Sequence, residues 1–208
     1  MKKNTRRAFL ATAALAIPAA ATAAVVPKEK KSAFKACPRA KGGKTASRFP
    51  QVIVEDQFKR KSWFYEEMIS DKLVLVSFTS VKGEQYYPIL DNLVKVQAML
   101  KDRLGKDVFM YTVTTSPERD TPEDLKKLAE KHGANWQFIT GKPENIREIL
   151  SAFNARGSLH ALSWVGNEST GRWLNKPSRL HPVYIAEAVA RLSTGKEHKP
   201  FLIDMHSV

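Results

Sequence analysis

The sequence predicts an α/β fold with a mixed central sheet and helices on both faces. Two runs, KLVLVSFT (Lys72 to Thr79) and DVFMYTVT (Asp107 to Thr114), are apolar over strand length, as strands covered on both faces are. The segment between them holds one helical pattern, so a right-handed crossover would lay the two strands parallel and adjacent. Proline recurs where helices should open, at Pro88, Pro122, Pro143 and Pro182, alternating with the strand-like runs.

Taken in order, QVIVED (Gln51 to Asp56) reads as an entry strand and KSWFYEEMI (Lys61 to Ile69) as a short connecting element. After KLVLVSFT, a helix is expected from Pro88, with Leu90, Leu93, Val94, Leu100 and Leu104 at helical spacing and Gly105 as its stop. In RDTPEDLKKLAEKHG, Thr121 caps, Pro122 opens the first turn, Leu125, Leu128 and Ala129 share a face, and Gly133 terminates. WQFIT (Trp136 to Thr140) is a short strand. KPENIREILSAF is a helix with Ile146, Ile149, Leu150 and Phe153 facing inward. SLHALSWVGNESTGRW reads as a strand turning at Gly166–Asn167 into another, and HPVYIAEAVARL as the closing helix.

The N-terminal residues 1–23, MKKNTRRAFLATAALAIPAAATA, have a basic start, a short Ala-rich apolar stretch broken by Pro18, and a small-x-small cleavage signal. They read as a signal peptide cut near Ala23–Ala24. Arg6 and Arg7, followed by Phe9 and Leu10, fit a twin-arginine leader, although paired arginines also occur in ordinary secretory leaders. Export to the periplasm is therefore expected. Residues 24–48 form a basic tail that composition marks as disordered and open to trypsin, 49–192 the domain, and 193–208 a C-terminal tail. Of the formal net charge of +13, the leader supplies four units and residues 25–48 seven, leaving +2 for residues 49–208. The charge that suggests a nucleic-acid partner thus lies outside the domain, and none is expected. The tail suits an anionic membrane surface instead. A single cysteine, Cys37, sits in that tail, so an internal disulfide framework is excluded.

Particular residues point further. SPERDTPEDLKKLAEKHG (Ser116 to Gly133), WQFITGKPENI and VSFTS…YP resemble the Sco/SenC family, thioredoxin-fold proteins of copper-site assembly in respiratory enzymes. The resemblance covers about Phe49 to Leu192 and implies a thioredoxin-like fold. It also implies a copper site of two cysteines in a Cys-x-x-x-Cys-Pro turn and a distal histidine, since thiolates and imidazole together suit Cu(I) and Cu(II). Anchored on Pro88, the cysteine positions fall on Gly83 and Tyr87, and two residues appear added before Gly83 relative to the family's spacing from the strand. The histidine matches His160, and the motif's first aspartate is Ser116. Tyr86 and Tyr87 either fill the thiolate space or form an aromatic contact surface, while Lys82 and Glu84 are read as solvating the turn. Without a domain thiol, thiol–disulfide exchange and peroxidase chemistry fall away.

The expected function is that of an exported, non-enzymatic accessory protein, a divergent member lacking the dithiol. It would assist assembly of a copper or other respiratory redox enzyme by contacting a periplasmic or membrane subunit. No cofactor is expected, copper being the one the resemblance leaves open. One alternative is a weak copper-binding chaperone using His160 with Cys37. Another is an enzyme of unrecognised chemistry.

Overall fold

The computed structural model describes residues 43–155 and 161–194. Its strands are β1 (Ile53–Asp56), β2 (Lys61–Trp63), β3 (Leu73–Thr79), β4 (Val108–Thr114), β5 (Gln137–Gly141), β6 (Leu162–Asn167) and β7 (Arg172–Pro177). Its helices are α1 (Val81–Tyr86), α2 (Leu90–Leu100), α3 (Pro122–His132), α4 (Pro143–Ala152) and α5 (Pro182–Ser193). The strands form one sheet in the order β2-β1-β5-β4-β3-β6-β7. The two apolar runs pair as predicted: β3 lies parallel to β4 in register from Leu73↔Val108 to Thr79↔Thr114. β5 extends the parallel set, whereas β1, β2, β6 and β7 are antiparallel to their neighbours.

Alternation of side chains along β3 divides the core. Leu73 and Leu75 face α2, α3 and α5 through Leu93, Leu125 and Val189. Val74, Val76 and Phe78 face the other way, toward Phe64, Ile149 and Phe153. Helices therefore cover both faces, the mixed thioredoxin-like architecture that the sequence predicts. α3 is built as its residues dictate. Thr121 and Asp124 form a reciprocal capping box, and Gly133 closes the helix at φ 69°.

Four local expectations change. KSWFYEEMI is an edge strand, β2, followed by a π-helical turn, Phe64–Ile69, that buries Phe64, Tyr65, Met68 and Ile69. A helix precedes Pro88: Ser80 caps α1, and the chain re-enters helix only at Leu90. α2 stops at Lys101, whose φ of 49° breaks the pattern before Leu104 and Gly105. The β6–β7 turn falls at residues 168–171, because Gly166 belongs to β6 with the Trp173 ring lying against it. A Cβ on Gly166 would come within 2.3 Å of that ring.

Composition assigns residues 43–48 to the tail, yet they pack on the sheet. The Gly43 amide donates to the Tyr65 hydroxyl at 2.9 Å, and the Thr45 amide to Glu168 Oε1 at 3.2 Å. The Arg48 guanidinium lies over the rings of Phe49, Trp164 and Trp173 at 4.9–5.8 Å and donates to the Ala152 carbonyl. Burial lowers the Arg48 pKa, opposed by Glu168. Glu168, fully buried, also accepts from the Tyr65 hydroxyl and the Trp173 indole. Tyr65 is pushed up to about 12, chiefly by burial and then by its bond to Glu168.

Candidate functional site

The parallel strands β3 and β4 end side by side at Thr79 and Thr114, where an α/β sheet presents ligand-binding loops. The Thr115 amide donates to the Thr79 carbonyl at 2.9 Å, so the loop after β4 begins against the turn after β3. β6 starts at the same end, since it runs antiparallel to β3 with Trp164 opposite Val76. Three segments thus converge: the turn 80–88, the loop 115–121, and the start of β6.

Asp120 fastens the first two. It is 6% exposed, accepts the Val81 amide at 3.1 Å and the Thr114 hydroxyl at 2.5 Å, and its carbonyl accepts from Thr140. The PERDTP stretch therefore sets the start of α1. Its leading residue, Ser116, donates its amide to the Thr114 hydroxyl at 3.0 Å.

Within the turn, the Ser80 hydroxyl accepts the Gly83 amide at 2.9 Å. Gly83 has no side chain to offer, and a Cβ there would lie 2.7 Å from Ser80 Oγ. Tyr86 and Tyr87 are 68% and 53% exposed, so the aromatic pair forms surface rather than filling the thiolate space. Lys82 is exposed as expected. Glu84 overturns its reading as a solvating charge, because it is only 5% exposed. Its Oε1 accepts the Ile89 and Leu90 amides, each at 2.8 Å, and its Oε2 accepts the Thr79 hydroxyl at 3.2 Å. One carboxylate thereby joins the end of β3, α1 and the start of α2. Burial raises its pKa, opposed in part by those hydrogen bonds and by His132. Sequence reasoning missed Glu84 because a charged residue beside Gly83 and Gln85 looks solvated. The only available signal was Thr79 five residues upstream and a helix start five downstream.

A cavity of about 210 Å³ opens beside the turn, lined by Phe78, Thr79, Gly83, Tyr87, Ile89 and Ala161. The residue after His160 thus faces the two cysteine positions of the resemblance. His160 and Cys37 themselves lie outside the described residues. His132 belongs elsewhere, its Nδ1 within 2.6 Å of Asp91 Oδ1 and its Nε2 buried with no hydrogen-bond partner among the described residues. Among the described residues, no group of three His, Cys, Asp or Glu side chains is arranged to hold a metal ion. Tyr87 and Gly83 present no soft donor, so the turn as built does not fit copper. No helix of the described residues is long and apolar enough to cross a membrane.

Residues 83–168 match the family model for SCO1/SenC. A SCO2-like protein of Rickettsia prowazekii is 28% identical over 106 residues, 49% of this chain and 51% of the relative. The matched stretch covers between a third and about half of the curated relatives' own length. Among solved structures, yeast Sco1 with copper bound superimposes with a TM-score of 0.61 at 14% identity, covering 77% of this chain and 97% of that one. BsSco, a member of the Sco family of cytochrome c oxidase assembly proteins with a disulfide switch, superimposes with a TM-score of 0.57 at 21% identity, covering 70% and 92%. These likenesses establish the thioredoxin-like fold.

Proposed function

We propose that the chain, whose residues 83–168 match the family model for SCO1/SenC, is a divergent member of that family and acts outside the cytoplasm as a non-enzymatic assembly factor that works through protein contact. Its partner would be a subunit of a copper or other respiratory redox enzyme, the class to which the name of BsSco points. The observation that carries this reading is the turn. It keeps a fully bonded scaffold through Ser80, Glu84 and Asp120, has Gly83 and Tyr87 at the ligand positions, and presents Tyr86 and Tyr87 to solvent. Exposed tyrosines beside a rigid loop suit partner contact, since an aromatic anchor loses little conformational entropy on burial.

The lining of the small cavity by Ala161 favours one second reading, a weak copper site in which Cys37 joins His160. Chain length bears on it. Glu168, which holds Thr45, donates its amide to the Lys72 carbonyl at the start of β3, while the turn lies past the strand's other end, about 20 Å away. Cys37 precedes Gly43 by six residues, a reach of about 20 Å when fully extended. Closing such a site within one chain would use the whole of that reach, so contact by the turn is the reading we favour.

A photo-crosslinking amino acid at Tyr86, in the full chain in its own cell, tests the proposal. The expected product joins the turn to a redox-enzyme subunit, with no such product from the exposed position Lys95. Absence of that product, together with unimpaired assembly of copper and haem respiratory enzymes in cells lacking the protein, would overturn it.

A further inference from the structure

Two adjoining clefts, of about 410 Å³ and about 230 Å³, run along α1 where it faces the 116–124 segment and α3. Val81, Gln85 and Asp124 line both, so they form one continuous groove beside the exposed Tyr86 ring. Its charges are arranged unevenly. Lys82 and Arg119 line the first cleft, and Lys127 and Lys131 the second.

The acids along the groove are already engaged. Asp120 and Glu84 are turned inward onto backbone amides, and Asp124 is held by the Thr121 cap. Other acids of these segments are paired as well, Glu118 with Arg147, Glu123 with Lys59 and Glu130 with Lys126, while Asp91 is hydrogen-bonded to the His132 ring. Lys82, Arg119 and Lys131 are left with no ion pair among the described residues, and Lys127 interacts only with the capping Asp124. Four cations stand against three carboxylates in the same lining, Glu84, Asp120 and Asp124, a formal excess of one positive charge, and each of the three acids is held by its own hydrogen-bond donors.

We infer that this groove is the seat for an acidic, extended segment of the partner protein, with the Tyr86 ring as its apolar wall. The inference rests on the proposal that the turn is a contact surface and names the chemistry of what it contacts. Concavity selects the occupant: a segment of chain can enter a cleft, while a flat anionic bilayer reaches only its rim. Complementary charge would speed encounter and fix the register of the segment, with steep dependence on salt.

The test is fluorescence anisotropy of the purified full chain with a labelled peptide rich in Asp and Glu and containing one Trp. Lys82→Glu with Arg119→Glu should weaken binding at least about tenfold, and raising salt from about 50 to about 500 mM should do the same. Lys95→Glu, at an exposed site on α2, should leave affinity unchanged. The charge-reversed variant should instead gain affinity for a Lys-rich peptide of the same length, a result that requires the variant to be folded. No binding by the wild type, equal binding by the reversed variant, or binding only to phosphatidylglycerol vesicles would each overturn the inference. Loss of the acidic-peptide interaction with the Tyr86 crosslink retained sinks the groove alone, whereas loss of the crosslink sinks the contact proposal itself.

Discussion

Glu84 holds the turn with a single side chain, and its removal has calculable consequences. Glu84→Ala leaves the Ile89 and Leu90 amides buried without an acceptor, a loss of about 2–4 kcal/mol. Glu84→Gln keeps an acceptor for both amides and should cost less than about 1 kcal/mol near neutral pH. Wild type and Glu84→Gln also differ in their response to pH. Burial raises the carboxyl's pKa above its unfolded value, so the folded chain binds the proton more tightly. The resulting stabilisation is fully present below the unfolded pKa and is lost as pH rises through the folded one. Between about pH 4 and pH 7, wild-type stability measured by denaturant titration should therefore fall relative to Glu84→Gln. A rise over that window would mean the carboxylate is the favoured form in the fold. Sequence made other residues of the site legible: Asp120 belongs to a recognisable PERDTP stretch, whereas Glu84 has meaning only once the amides of α2 are brought beside it.

Elements with a clear apolar pattern were legible, down to the short strands β1 and β5, whereas α1 was not. The strands β3 and β4 announce themselves as apolar runs, and α3 carries its cap, first-turn proline and terminating glycine in sequence. α1 is six residues long, contains Gly83, and offers only Val81 to the core, so no helical period can appear. Its shape has a direct consequence for the family's dithiol. A side chain at Gly83 collides with Ser80 Oγ, the acceptor that caps α1. Gly83→Cys with Tyr87→Cys should thus lower stability by about 1 kcal/mol through loss of that cap, and bind Cu(I) poorly. Adding Ser80→Gly, which removes the obstructing hydroxyl, should not restore a tight site if two inserted residues have moved the turn; a triple variant that holds Cu(I) against competing thiols would show that they have not. The segment 43–48 was illegible for a different reason. Its composition is that of a tail, and its docking depends on Glu168 and the Trp164 and Trp173 rings far along the chain. Limited trypsin digestion should leave a core beginning upstream of Gly43, with the bond after Arg48 intact. Glu168→Ala should expose that bond, and cleavage there in the wild type would show that the segment is not held.

At the scale of the whole molecule, a thioredoxin-like scaffold carries one sheet, the PERDTP loop and a cavity at the sheet end, with Gly83 and Tyr87 at the positions that the resemblance gives to cysteines. Scaffold and chemistry are separable because they rest on different residues. The fold depends on two apolar clusters on either side of β3, and neither includes Gly83 or Tyr87, the positions that the resemblance gives to the ligands. Coordination needs several soft donors at one point, and a lone imidazole cannot compete with buffer thiols. The central claim is that this member works by contact rather than by carrying copper. A Cu(I) competition titration of the purified chain, beside Cys37→Ser and His160→Ala, tests it most directly. Equal and weak affinity in all three proteins is the predicted result. A wild-type affinity that drops on removal of either Cys37 or His160 would contradict the account and establish a copper site built from the tail and the segment before β6.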